Sequence, residues 1–170
     1  MCDTSFVCSR LVCTVVLALA GCGRLWFDPL EDAAAGCPST YMEGGGSCYR
    51  FVINPVPELS WLDAERACEA DGAGAHLMVI DDSAELVLAS SALVGASNAW
   101  VGASDRTAEG SYLAVTGQPA VIVWSPGEPT GAAEDCLQIM DTGAMGDRDC
   151  TMLNDYLCEA DGRSVDASAF

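Results

Sequence analysis

Hydrophobic and polar positions follow two different periods along this chain, and the change of period separates its elements. In SWLDAERACEADG, from Ser60 to Gly72, Trp61, Ala64 and Cys68 recur at three- and four-residue spacing with charges between them. That is the period of an amphipathic helix, and it turns Cys68 inward. Ser60 stands where an N-cap belongs, Asp63 holds the capping-box position, and Gly72 and Gly74 end the helix. DDSAELVLASSAL predicts a second helix, capped by Asp82 or Ser83. SCYRFV (47–52) and AHLMVI (75–80) read as strands. NPVPE (54–58) reads as a turn, because proline fixes φ and removes a donor. From Ala99 on, AWVGA, SYLAV, AVIVW, CLQIM and YLCEA alternate with turn residues. Two helices followed by a β-rich half make an α+β pattern.

The N-terminus follows neither period. Leu11 to Ala20 is one apolar run behind Arg10, shorter than the roughly 20 residues a bilayer span needs. It reads as a secretory signal peptide over residues 1–21. Leu19-Ala20-Gly21-Cys22 resembles the bacterial lipobox, where cleavage precedes a cysteine whose thiol then takes lipid. The resemblance implies a lipidated Cys22, a membrane anchor and, with Gly23 rather than Asp after the cysteine, the outer membrane. Residues 22–36 then form the lipidated cysteine and a short tether. What remains of the 170 residues, 51% hydrophobic overall, suffices for one domain with its own core and shows no internal repeat.

Charge and cysteines narrow the function. Seven arginines, no lysine and 25 acids give a formal charge of -18. Such a surface repels nucleic-acid phosphates and anionic lipid and suits cations and neutral ligands. Cys37, Cys48, Cys68, Cys136, Cys150 and Cys158 form an even set in an exported chain, hence a disulfide framework with 15 conceivable pairings. A zinc site is disfavoured, since these six contain no C-x₂-C pair and His76 is the only histidine. His76 opens an apolar run and reads as a structural histidine. With no second histidine and no lysine, the chain lacks a conventional general base, which argues against an enzyme.

Taken in order, CPSTYMEGGGSCYRF, SWLDAERACEADGAGAHLMVI, WVGASDRTAEGSYLAVTG, VWSPGEP, EDCLQIM and DYLCE resemble the long form of the C-type lectin-like domain over roughly residues 37–160, leaving 161–170 as a tail. The resemblance implies an α+β fold of two helices and antiparallel β strands with a long calcium-site loop. It also implies the bridges Cys37–Cys48, Cys68–Cys158 and Cys136–Cys150. In WSPGEPTGAAEDC, the family's cis-proline tripeptide falls on Glu128-Pro129-Thr130. Glu128, Glu134 and Asp147 match calcium ligands, with Thr130 beside them in the sugar site. Asp105, Glu109 and Asp135 match an auxiliary calcium site.

Two positions depart from the family pattern. Thr130 and Gly146 stand where asparagines would both ligate calcium and donate to sugar hydroxyls. Calcium takes six to eight oxygens, and the three remaining carboxylates with a backbone carbonyl reach the low end of that range. Glu128, Glu134, Asp135, Asp141, Asp147 and Asp149 face only Arg148 in their stretch of sequence. Two functions therefore stay open: a membrane-anchored, calcium-dependent glycan binder, and a scaffold of the same fold that binds a surface protein.

Overall fold

The computed structural model describes residues 36–170, except 73, 96, 97 and 132, together with the backbone of 7–9 and 12–14. The lipobox, Cys22 and nearly all of the tether lie outside the described residues. Two compact units divide the chain, Met1–Ala34 and Ala35–Phe170. In the first, β1 (Val7–Ser9) pairs antiparallel with β2 (Val12–Thr14).

The second unit runs β3 (Met42–Gly44), β4 (Ser47–Val52), α1 (Trp61–Glu69), β5 (Ala75–Leu77), α2 (Ser83–Ala92), β6 (Asn98–Ser104), β7 (Leu113–Ala114), β8 (Cys136–Met140), β9 (Met145–Arg148) and β10 (Asp155–Ala160). The Ser60 hydroxyl accepts from the Asp63 N–H and donates to the Asp63 carboxylate at 2.7 Å, so α1 starts at the expected cap. Of the two candidates for the second cap, Asp82 serves, accepting from the N–H groups of Ala84 and Glu85 at 2.7 and 3.0 Å. No helix among the described residues is long and apolar enough to cross a membrane.

The strands form a sheet of order β3-β4-β10-β6-β8-β9, with β5 also on β10 and β7 on β6. Its ladders are antiparallel apart from β10 and β6, which run parallel through Asp155↔Ala99 and Tyr156↔Trp100. The α+β fold is therefore as expected, with a mixed rather than purely antiparallel sheet. Alternation along each strand feeds two cores. Tyr156 and Cys158 pack with Trp61, Ala64, Cys68 and Trp100 on the α1 side. Leu157 packs with Met78, Ala89, Leu93, Val101 and Ile139 on the α2 side. Both tryptophan N–H groups are satisfied inside, Trp61 by the Val101 carbonyl at 2.8 Å and Trp100 by that of Leu59 at 3.0 Å. The glycine of the WVG motif has a steric cause: a Cβ on Gly102 would lie 2.3 Å from the Leu77 carbonyl oxygen.

AVIVW differs from expectation. Residues 120–124 form no strand, and Trp124 makes an isolated parallel bridge to Met145. The alternation is nonetheless real. Ala120, Ile122 and Trp124 pack on the α2-side core, while Val121 and Val123 face solvent. Burial alternates along the whole run, whereas pairing with β9 is limited to that bridge, in which Met145 donates to the Val123 carbonyl at 2.7 Å and Ser125 to that of Met145 at 2.8 Å. Residues 161–170 return to the domain: Ala169 is buried and Phe170 meets Trp61 edge-on at 5.3 Å. The bridges are Cys37–Cys48, Cys68–Cys158 and Cys136–Cys150.

Candidate functional site

The segment between β7 and β8 has little regular structure, so its side chains need external supports. The Cys136–Cys150 bridge closes its base. The β8–β9 hairpin supplies a rigid floor, with Leu137 opposite Asp147 and Cys136 opposite Arg148. Asp147 is fully buried there, and both its oxygens are used. Oδ1 accepts the Thr130 N–H at 3.1 Å and Oδ2 accepts the Tyr112 hydroxyl at 2.8 Å. Burial, then the hydrogen bond to Asp147, pushes the Tyr112 phenol far above its ordinary range, which keeps it a donor.

Glu128 precedes a cis bond to Pro129, as the tripeptide led one to expect. Its carboxylate, Glu134 and Asp147 converge, with one oxygen of each within 4.8 Å of the others. The Thr130 hydroxyl donates to Glu134 Oε2 at 2.6 Å. Sequence reading placed all four residues together, but it did not place Arg148. Nη1 of Arg148 lies 2.7 Å from Glu128 Oε1, 3.6 Å from Glu134 Oε2 and 2.5 Å from the Asp147 carbonyl oxygen. Glu128 Oε2 is buried with no partner. Gly146 lies directly beneath Glu128: a Cβ there would be 3.0 Å from Oε1 and 3.1 Å from both Cγ and Cδ.

These residues do not fit a calcium ion in this arrangement. A guanidinium already pairs with two of the three carboxylates, those of Glu128 and Glu134, and would repel a divalent cation at short range. The Thr130 hydroxyl is committed to Glu134, and Gly146 offers no side-chain oxygen. Of the acids' oxygens, the buried Oε2 of Glu128 is left without a partner.

The second expected set is looser. Asp105 is buried, accepts the Gly110 N–H at 2.7 Å and donates its own N–H to the Asp135 carbonyl at 3.1 Å. Its Oδ1 has no partner. Glu109 is exposed, and its carboxyl is raised by desolvation and by the charges of Asp105, Asp135 and Asp147. Among the described residues these three do not converge as tightly as the first set.

A different cluster went unforeseen. His76, Glu159 and Asp161 converge within 4.8 Å beneath Arg163. The ring nitrogens of His76 sit 2.8 Å from the Leu77 carbonyl oxygen and 3.2 Å from Asp161 Oδ1, which agrees with a structural histidine. Glu159 accepts the Val79 N–H at 3.3 Å, and nearby Glu65 accepts that of Leu77 at 2.7 Å. Burial pushes both carboxyls up to about 7. Burial also acts to raise Asp161, but hydrogen bonds from Arg163 and the charge of His76 hold it below its ordinary value. No sequence signal announced Glu65 or Glu159, because their partners are backbone N–H groups of Leu77 and Val79, 12 and 80 positions away.

Beside the first cluster lies an open groove of about 380 Å³, lined by Gly110, Tyr112, Ala120, Ile122, Trp124 and Pro129. Tyr112 and Trp124 meet edge-to-face in it, with centroids 5.0 Å apart.

Comparison with known proteins agrees with this geometry. Residues 57–160 match the Lectin C-type domain. C-type lectin domain family 17, member A from Homo sapiens is 30% identical over 125 residues, covering 72% of this chain and 32% of that protein. Asialoglycoprotein receptor 2 from Rattus norvegicus is 30% identical over 140 residues, covering 76% of this chain and 44% of that protein. The chain thus spans less than half the length of these relatives. Among solved structures, the mouse scavenger receptor C-type lectin carbohydrate-recognition domain superposes with a TM-score of 0.65 at 27% identity, over 73% of this chain and 97% of that one.

Proposed function

The chain belongs to the C-type lectin domain family, and from that premise we propose that it is an exported recognition domain that binds a glycan through its long loop and catalyses nothing. One observation carries the reading. Glu128, Thr130, Glu134 and Asp147 gather at the edge of a groove floored by Tyr112 and Trp124, and Tyr112 belongs to both features. Sugar hydroxyls suit a polar rim and the C–H face of a sugar ring suits an aromatic floor. The test is retention of the full chain on an immobilised glycan array, in calcium and in chelator. Defined glycans are expected to retain it, with at least tenfold weaker binding in Glu134→Gln.

A surface protein as partner is the second reading. It is favoured because the two family amides that donate to sugar hydroxyls are replaced by Thr130, whose hydroxyl is engaged, and by Gly146. Each missing neutral hydrogen bond removes about 0.5–1.5 kcal/mol. If no glycan retains the chain in either buffer, the scaffold reading replaces the first.

Calcium has a better claim on Asp105, Glu109 and Asp135, because Asp105 keeps a buried oxygen free and, unlike Glu128 and Glu134, these acids pair with no arginine among the described residues. Terbium luminescence is expected to saturate on the wild type and to fall in Asp105→Asn; equal signals would remove the claim. The disulfides suit an extracytoplasmic setting. Anchoring through lipid on Cys22, with display at a bacterial outer membrane, is tested by palmitate labelling. Labelling that persists in Cys22→Ser would exclude it.

A further inference from the structure

We infer that Arg148 is the resident cation of the long loop, standing in place of a metal ion and making this face independent of calcium. The inference deepens the recognition reading, on which it rests only in treating the loop as the binding face.

Three residues, two of them departures from the family pattern, meet in one arrangement. Arg148 brings Nη1 to 2.7 Å from Glu128 and 3.6 Å from Glu134, while the same nitrogen lies 2.5 Å from the Asp147 carbonyl oxygen. The guanidinium thereby touches a group from each of the three acids that would otherwise surround an ion. Gly146 is the second of the three. Glu128 lies across it to reach Arg148, and a Cβ there would press on three atoms of that side chain at 3.0–3.1 Å. A side chain at 146 would require Glu128 to give by a few tenths of an ångström and so would press on its pair with Arg148. Thr130 is the third. Its hydroxyl donates to Glu134 at 2.6 Å and its N–H donates to Asp147 at 3.1 Å. The acids are thus held by donors belonging to the chain itself. The Glu128 side chain is only 9% exposed, so its charge needs a counter-ion, and the tether of Arg148 to β9 makes that counter-ion permanent.

A calcium ion brings two positive charges, takes at least six oxygens and leaves with a chelator. Arg148 brings one, uses directed N–H donors and cannot leave. Ligands on this face are therefore met by hydrogen bonds and ring contacts rather than by ion coordination.

The probe is calcium chloride itself, titrated calorimetrically into the full chain carrying Asp105→Asn, so that the auxiliary acids do not contribute. With Arg148 present, no saturable binding is expected up to about millimolar calcium, the weak end for extracellular modules, and chelator leaves Tm unchanged. Arg148→Gln in the same background releases the Glu128 and Glu134 carboxylates beside that of Asp147. It is expected to bind calcium at least tenfold more tightly and to gain Tm on its addition, whereas Arg148→Lys keeps calcium out. Should Arg148→Gln fail to fold, Glu128→Gln beside Arg148 decides. The inference expects it to lower Tm equally in calcium and chelator. Saturable calcium binding with Arg148 in place, lost in Glu128→Gln or unchanged by Arg148→Gln, overturns it. A failed glycan array leaves these outcomes intact, because no glycan enters the assay.

Discussion

Two clusters of acids in this domain are each closed by one arginine, and they are built oppositely. Around Arg163 the acids belong to the sheet. Glu159 is 1% exposed on β10 and accepts a backbone N–H from Val79, 80 positions away, with Asp81 completing the network from the surface. Around Arg148 the acids belong to a loop and a hairpin edge, and Glu134 is 35% exposed. The first cluster is paired after the fold has buried it, whereas the second is gathered by the pairing itself. Loss of Arg163 should therefore be felt by the whole domain, and loss of Arg148 by the loop.

The bridges give the widest separation. Cys68–Cys158 spans 90 positions and ties α1 to β10, while Cys136–Cys150 spans 14 and closes the loop. The chain-entropy estimate gives about 4–5 kcal/mol for the first and about 3 for the second. Denaturant unfolding of Cys68→Ala/Cys158→Ala and Cys136→Ala/Cys150→Ala should reproduce that order. Equal losses would mean that loop and sheet are one cooperative unit.

Acidity probes the buried side alone. Glu65 is raised from 4.5 to about 7 by burial, with His76 and Glu69 the charges facing it. A carboxyl raised on folding binds protons more tightly in the native state. Its stabilisation is full below about 4.5 and is lost as pH rises through about 7. Glu65→Gln cannot ionise and still accepts from Leu77. The two proteins should match near pH 4.5, and the variant should be more stable by about 3 kcal/mol at pH 8. Parallel pH profiles would show that the carboxyl is not held neutral.

The arginines themselves give smaller effects. Arg163→Ala strands Glu159 in the interior and should cost about 2 kcal/mol of global stability. Arg148→Ala should cost about 1, with the larger change in the rate at which protease cuts residues 125–135. Gly146→Ala presses on the Glu128 side chain and should copy the loop phenotype at up to about 1 kcal/mol. If Arg148→Ala lowers the melting temperature as much as Arg163→Ala, the distinction between the clusters fails.

What was legible in the sequence were local signals and signals fixed by chain order. The caps at Ser60 and Asp82, the inward Cys68 and the strands SCYRFV and CLQIM each depend on neighbours within a few positions, and the structure has all of them. β9 was missed because Met-Gly-Asp-Arg carries no alternating apolar pattern, although Met145 and Asp147 are both buried. AVIVW was misread as a ladder strand because its alternation records burial, while its pairing stops at one bridge between Trp124 and Met145. Glu128, Glu134 and Asp147 were read together through the motif. The place of Arg148 was not, since it depends on how a 20-position excursion returns over Gly146.

The Cys68–Cys158 bridge also determines what happens when the domain is pulled by its ends. Tension entering at Cys37 crosses to Cys48, follows the chain to Cys68, and leaves through Cys158. Residues 69–157, which hold the groove, the acid loop and the Cys136–Cys150 staple, hang from this covalent path as an unloaded side branch. A domain held at one end and strained at the other would thus carry the force along its spine and leave its loop slack.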